Sequence, residues 1–219
     1  MSGFDALTFF ESLKHRLTHE LPGSVAHEPL RAVPLSEQAL RFKNEGLPKP
    51  GAVLILLCDS PGNLWFPLIK RTDNGGIHSG QISLPGGRSE KGEDHIQTAI
   101  REAEEEIGVN RNHFEVLGTL SPFHVIPSHY LVTPVVARWT SVALPVFKME
   151  EKEVAGILNA SLSELLKPNA IQYTELNVRG YRINAPHFNL EGEVVWGATA
   201  MMLNELRMVC NAIPDFSPE

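Results

Sequence analysis

Two periods of apolar residues run along this chain, and their alternation sets the elements it predicts. Phe4, Leu7, Phe10, Leu13 and Leu17 recur at helical spacing, which predicts an amphipathic helix over about residues 5–20. Leu21-Pro22-Gly23 ends it. Residues 22–50 carry Pro22, Pro29, Pro34, Pro48 and Pro50 and read as an irregular connector wrapped on the surface. Residues 52–58 form a continuous apolar run, the mark of a buried strand. A turn at Asp59-Ser60-Pro61-Gly62 leads into a second strand over 64–71, giving a hairpin. Gly75, Gly76, Gly80, Gly86, Gly87 and Gly92 punctuate a long loop with a short extended piece at 81–84. Over 94–107 the pattern turns helical again, with Ile96, Ala99, Ile100, Ala103 and Ile107 on one stripe and Gly108 at the C-terminal cap. Strands are expected at 114–120, 131–139 and 153–159, a short helix at 162–166, a last hairpin from 181–183 and 188–190, and a buried helix over 195–210. Strands and helices mix without regular alternation, which favours an α/β sandwich with a mixed sheet over a doubly wound parallel sheet.

Composition narrows this picture. At 219 residues the chain is long enough for one domain, or one domain with a substantial extension. The division expected is an N-terminal helix and connector over 1–48, a domain over 49–212, and a tail over 213–219. Hydrophobic residues are 42% and charged residues 21%, values of an ordinary globular protein. The formal net charge of −7 argues against a bulk electrostatic grip on nucleic acid or an anionic membrane. Cys58 and Cys210 sit in apolar patterns without zinc spacing and read as buried free thiols. No long uncharged apolar core follows a basic start in residues 1–20, and the run at 52–58 is too short to span a bilayer. A cytoplasmic protein is expected.

The acidic surplus has a focus. The helix after the glycine loop reads Arg101-Glu102-Ala103-Glu104-Glu105-Glu106-Ile107-Gly108. Glu102, Glu105 and Glu106 fall within one sector of ~100°, opposite the apolar stripe. Like charges at this spacing, at the negative end of the helix dipole, destabilise a helix. A divalent cation would resolve that conflict, and oxygen-only ligands suit Mg²⁺ or Mn²⁺. The competing reading is a solvated acidic face. The wider pattern decides between them: Gly87-x5-Glu93-x7-Arg101-Glu102-Ala103-x-Glu105-Glu106-x-Gly108-Val109. Even seven specified positions at roughly 5–7% each make a chance match on the order of one in a million.

This pattern resembles the Nudix box, without a gap. The resemblance implies a Nudix-type α/β/α sandwich and a metal-dependent pyrophosphohydrolase. It implies Glu102, Glu105 and Glu106 as metal ligands, with Glu102, Glu105, Arg101 and Glu153 carrying the reaction. A carboxylate outside the box, such as Glu153, often serves this family as ligand or base. In this family the metal binds the substrate's diphosphate, a water it activates attacks phosphorus, and a glutamate takes the proton. Gly86 and Gly87 allow the turn that brings the loop against the helix.

A second stretch, Leu68-Ile69-Lys70-Arg71-Thr72 … Gly80-Gln81-Ile82-Ser83-Leu84-Pro85-Gly86-Gly87, resembles the segment preceding the box in coenzyme A pyrophosphatases. Residues 130–136, 153–155 and 196–200 extend the likeness. It implies coenzyme A or an acyl-CoA as substrate, with Arg71, His78, Gln81, Gly86, Gly87 and Arg88 in contact. Two positions depart from that pattern. Gly76 stands where the subfamily has a second Arg, a loss that Arg88, Lys91 or Lys70 would have to cover, and Leu84 stands for Phe. ADP-ribose, a dinucleotide or a nucleoside triphosphate are the alternative substrates. A non-catalytic nucleotide sensor is the alternative of another class, opposed by the intact Glu102, Glu105 and Glu106. Phe123, His124, His129 and Tyr130 are expected to pack rather than to line a pocket, and Trp196 is expected in the core with its N–H bonded to a carbonyl. A homodimer is compatible with such an enzyme, although no stretch marks a partner face.

Overall fold

A computed structural model describes residues 5–35, 42, 44–75 and 78–214. Gly76, Phe4 and the end of the expected tail lie outside the described residues. The helices are α1 (Ala6–Arg16), α2 (Ser24–His27), α3 (His95–Ile107), α4 (Leu162–Leu166) and α5 (Gly197–Asn211). The strands are β1 (Val33–Pro34), β2 (Lys49–Ser60), β3 (Asn63–Arg71), β4 (Ile82–Ser83), β5 (Gly86–Arg88), β6 (Phe114–Thr119), β7 (Phe123–Val125), β8 (Tyr130–Trp139), β9 (Val154–Ser161), β10 (Ile171–Val178), β11 (Tyr181–Leu190) and β12 (Glu193–Trp196).

The larger sheet runs β4-β3-β2-β8-β6, with β5 paired to β2, β7 to β8 and β9 to β3. β2 and β8 are parallel, from Lys49↔Tyr130 to Leu57↔Arg138, and the other pairs are antiparallel. The continuous apolar run of β2 now has its reason, because both faces of the strand are covered. Ala52, Leu54, Leu56 and Cys58 point to a layer built with Ala99, Ala103 and Ile107 of α3. Ile55 and Leu57 point to the opposite layer, with Phe9, Phe10 and Leu13 of α1 and Leu203, Leu206 and Val209 of α5. This is the expected α/β/α sandwich with a mixed sheet. Cys58 and Cys210 are free and buried, one in each layer, and burial pushes both thiols up to about 12.

Several sequence expectations change in detail. α1 starts at the Asp5 cap, whose carboxylate accepts from the N–H groups of Leu7 and Thr8, and ends at Arg16 rather than near residue 20. Its buried face is Phe9, Phe10 and Leu13, while Leu7 is 61% exposed. The connector is not merely irregular: α2 and β1 lie within it, and Ala26 and Leu30 are fully buried. The expected last hairpin is one strand, β11, flanked by β10 and β12. These strands and β1 form a second sheet, ordered β1-β11-β10, with β12 paired to the later part of β11. The segment 193–196 therefore belongs to a strand, and α5 begins at Gly197. No helix among the described residues is long and apolar enough to cross a membrane.

Candidate active site

Chain punctuation fixes where α3 begins and ends. Asp94 accepts from the Gln97 N–H at 2.8 Å while the Gln97 side chain accepts from the Asp94 N–H at 3.0 Å, a complete capping box. Gly108, at φ 70°, closes the other end. The strand β5 then lies across the polar side of this helix, paired with β2 through Ala52↔Gly87 and Val53↔Gly86. The two glycines are required there for different reasons. A Cβ on Gly86, at φ 152°, would sit 2.4 Å from the Ala52 carbonyl oxygen and 2.5 Å from Val53 Cα. A Cβ on Gly87 would sit 2.5 Å from Glu102 Oε2.

Arg101 is the hub of the site. Its Nε donates to Glu93 Oε1 at 2.7 Å, and Nη2 donates to Glu93 Oε2 at 3.1 Å and to the Arg88 carbonyl at 3.0 Å. Its Nη1 faces Glu102 Oε1 at 3.0 Å and Glu105 Oε2 at 2.9 Å. All five donors of the guanidinium are thereby engaged. The Arg101 bond is also the main reason that the Glu93 carboxyl is held down at about 2, helped by the Glu90 N–H and the Thr98 hydroxyl. Glu104 lies apart and pairs with Arg111.

The three box glutamates do not share one solvated face. Glu105 is outside, with its side chain 59% exposed. Glu102 is half-sheltered and Glu106 is buried, because β5 and its flanking turns fold back over that face. Glu106 Oε2 accepts from the Gly86 N–H at 2.8 Å, and Oε1 lies 3.5 Å from Arg71 Nη2. Burial raises the Glu106 carboxyl to about 7, opposed by Arg71 and Gly86 and reinforced by the negative charges of Glu102 and Glu153. Burial likewise raises Glu102, opposed by Arg101 and reinforced by Glu105 and Glu153. Glu153 is exposed at the mouth, just before a bulge that breaks the β3–β9 register beside Arg71.

These residues line a cleft of about 700 Å³, with Arg71, Gly86, Gly87, Arg88, Lys91 and Glu150 in its walls. Glu150 was not singled out by sequence reasoning. Its signal was the acid-rich run at 150–153, and its backbone N–H bonds the Glu106 carbonyl at 3.1 Å. Among the described residues, no three carboxylate, imidazole or thiol groups already converge as a ligand set. The chemistry of the donors nonetheless fits a hard divalent cation: they are carboxylate oxygens, and burial, reinforced by neighbouring carboxylates, raises two of them.

A second cavity, of about 610 Å³, opens from the same loop and shares Arg71, Gly86, Gly87 and Arg88 with the cleft. Its wall is mainly apolar: Val132, Tyr181, Ile183, Trp196, Met201 and Met202 contribute. His78 and Gln81 fall here and not in the acidic cleft, with His78 Nδ1 3.1 Å from Gln81 Oε1. Phe123, His124 and Tyr130 also line it, against the expectation that they pack, while His129 instead contacts His124 and the Gly46 carbonyl. Trp196 is a partly exposed wall residue rather than a core one, because it precedes α5 instead of lying within it. Arg71 donates to Ser83 Oγ at 3.2 Å and to the Gly86 carbonyl at 3.1 Å, so it is planted at the junction of the two spaces. Lys70 is tied to Glu193 at 2.6 Å and lines neither space.

Known proteins resemble the chain along most of its length. The NUDIX domain model matches residues 48–179. The Nudix hydrolase NudL of Photorhabdus laumondii is 30% identical over 187 residues, covering 80% of this chain and 96% of that protein. Its namesake in Yersinia enterocolitica is 31% identical over 187 residues, covering 81% and 93%. The mitochondrial Nudix hydrolase 15 of Arabidopsis thaliana is 35% identical over 183 residues, covering 78% and 60%. Among solved structures, the MutT protein of Methanosarcina mazei Go1 shares the fold at a TM-score of 0.50 and 18% identity, covering 78% of this chain and 99% of that one. The chain belongs to the Nudix family and is a Nudix hydrolase, an enzyme of phosphorus-containing anhydrides.

Proposed function

We propose that this hydrolase cleaves the diphosphate of coenzyme A or of its thioesters, with Mg²⁺ or Mn²⁺ held by Glu102, Glu105 and Glu106. The observation that carries the proposal is the pairing of two unlike spaces. A carboxylate and arginine cleft joins a mainly apolar cavity through Arg71, Gly86, Gly87 and Arg88. A substrate whose diphosphate is joined to a bulky, largely uncharged remainder matches both, and coenzyme A is of that class.

When bound, the cation supplies charge neutralisation at the diphosphate and makes a water more acidic. The chain's own residues do the rest. Arg101 is a positioning residue, since its donors are all engaged in holding Glu93, Glu102, Glu105 and the loop carbonyl of Arg88. Arg71 and Arg88 flank the path of the diphosphate at the junction. Glu153, exposed at the mouth, accepts the proton from the attacking water. His78 and Gln81 contact the part of the substrate that enters the second cavity. The proton affinity of His78 is lowered by burial, an effect that the Gln81 bond opposes and the positive fields of Arg71 and Arg179 reinforce. The free buried thiols of Cys58 and Cys210 fit action in the cytoplasm.

A substrate panel tests this reading. Coenzyme A and acetyl-CoA are expected to give the highest kcat/KM, ahead of ADP-ribose, NADH and diadenosine polyphosphates. ADP-ribose ahead of coenzyme A would overturn it.

A further inference from the structure

The second cavity carries a charge asymmetry that cleavage of a diphosphate does not use. The chain is acidic overall, with a net charge of −7. Yet no Asp or Glu among the described residues lines this cavity, whereas Arg31, Arg71, Arg88 and Arg179 do. Arg71 and Arg31 are tied to protein partners, and Arg88 lines the cleft as well as the cavity. Arg31 is paired with Glu28 at 2.9 Å. Arg179 lines the cavity but not the cleft, and it makes no hydrogen bond or ion pair with any described residue.

The backbone at Arg179 is costly. Arg179 and Gly180 form the two-residue turn between β10 and β11, closed by the pair Val178↔Tyr181. Their φ angles are 53° and 84°, the positive values of a mirror-type hairpin turn, which suit Asn, Asp or Gly. A long side chain in the left-handed region stores strain of the sort found at functional positions. The turn gains nothing from it locally, since the cap is made by Asn177 Oδ1 accepting from the Gly180 N–H at 2.9 Å. Glu191 and Gly192 make the same kind of turn at φ 53° and 79°, so what sets the first turn apart is the side chain it presents at the cavity wall, a guanidinium without a hydrogen-bond or ion-pair partner among the described residues. Its field reaches His78, together with that of Arg71, so the unpaired charge and the junction act on the same space.

We propose that Arg179 binds a second anionic group of the substrate, a phosphate monoester on the nucleoside, held apart from the diphosphate that is cleaved. In coenzyme A this group is the ribose 3′-phosphate. The inference rests on the reading of the substrate as a nucleoside diphosphate derivative, and it sharpens that reading from any such molecule to one bearing an extra phosphate. A planar guanidinium is suited to two hydrogen bonds with one phosphate.

The test compares coenzyme A with 3′-dephospho-coenzyme A, which differ only by that phosphate, in the wild type and in Arg179→Asn. Asparagine suits the left-handed backbone, so the variant is expected to melt no lower than the wild type. The wild type is expected to favour coenzyme A by on the order of 10–100-fold in kcat/KM, as a charged hydrogen bond would give. In Arg179→Asn that ratio should collapse toward one, chiefly through KM, and Arg179→Lys should restore part of it. An unchanged ratio in Arg179→Asn, or no preference in the wild type, overturns the proposal. NADPH against NADH, which also differ by one ribose phosphate, separates this test from the choice of substrate. Discrimination there that depends on Arg179, without coenzyme A cleavage, retires coenzyme A and keeps Arg179. Coenzyme A cleavage that is indifferent to Arg179 does the reverse. Calorimetric binding of adenosine 3′,5′-bisphosphate against AMP gives the same ratio without turnover, and equal binding overturns the proposal. Inorganic phosphate is the remaining arm. An effect of phosphate that Arg179→Asn abolishes, with the substrate ratio unchanged, marks a free-anion site and also overturns it.

Discussion

The carboxylate of Glu102 occupies the space that a side chain on Gly87 would need, since a Cβ there would lie 2.5 Å from Oε2. The neighbouring glycine has no such partner and instead meets the backbone of Ala52 and Val53. Adjacent glycines therefore serve different ends, one making room for the Glu102 carboxylate and the other for the sheet.

Substituting each in turn should separate them. Gly87→Ala displaces only the far end of a flexible side chain, so its melting temperature should fall little while kcat drops at least tenfold. Gly86→Ala drives Cβ into backbone and should cost roughly 2–4 kcal/mol, a loss of several degrees in melting temperature. Thermal denaturation alongside initial rates checks both, and equal melting losses would contradict the distinction.

Glu106→Gln should trade turnover for stability. In the chelated protein the Glu106 carboxyl titrates at about 7, above its ordinary value of 4.5, so between those values the folded state holds more protons than the unfolded one. Its contribution to stability is complete below 4.5 and is lost as pH rises through about 7. Chelated Glu106→Gln should therefore melt higher than the wild type at pH 8 and about equally at pH 4.5, while turnover falls by orders of magnitude. Melting curves across this range, with parallel assays in metal, give the answer.

Divalent cation should act in the opposite sense on the wild type. Added Mg²⁺ or Mn²⁺ should raise its melting temperature in proportion to the logarithm of concentration, and less so in Glu106→Gln. Excess chelator should abolish hydrolysis. Full turnover in chelator would remove the carboxylates from the reaction.

Arg101 and Glu93 should behave as a positioning pair. Arg101→Lys leaves three donors in place of five and should lower kcat by about 10–100-fold with little change in KM. Glu93 is shifted the other way from Glu106: its carboxyl is held at about 2, so its contribution is present above 4.5 and is lost as pH falls through about 2. Glu93→Gln should thus lower the melting temperature at pH 7, with the difference narrowing in acid.

Much of this was legible in the sequence where one element carries the signal. The capped helix around Arg101, the apolar run of β2 and the paired glycines each declare themselves within a few residues. β10 did not, because it lies at the edge of the smaller sheet and Gln172, Tyr173 and Glu175 leave it mostly exposed, which blurs the alternation. The buried state of Glu106 escaped because helical geometry alone does not show that β5 folds back over it. The second cavity escaped for a related reason: Arg31, His78, Tyr130, Arg179 and Met202 are far apart in the chain and meet only through pairing of both sheets with α5. Spacing finds groups on one helix face and is blind to walls assembled from many strands.

The two spaces also differ in how they are encoded. The groups of the acidic cleft come chiefly from one unbroken stretch, from Gly86 to Glu106, cross-tied by a guanidinium with no donor left to spare. The apolar cavity is drawn from separate turns and strand ends, among them a two-residue turn whose arginine makes no hydrogen bond or ion pair with any described residue. Changes in those turns can redirect which molecule enters without disturbing the cross-tied stretch. The carboxylate cleft is thus written in one block of sequence, whereas the apolar cavity is open to change piece by piece.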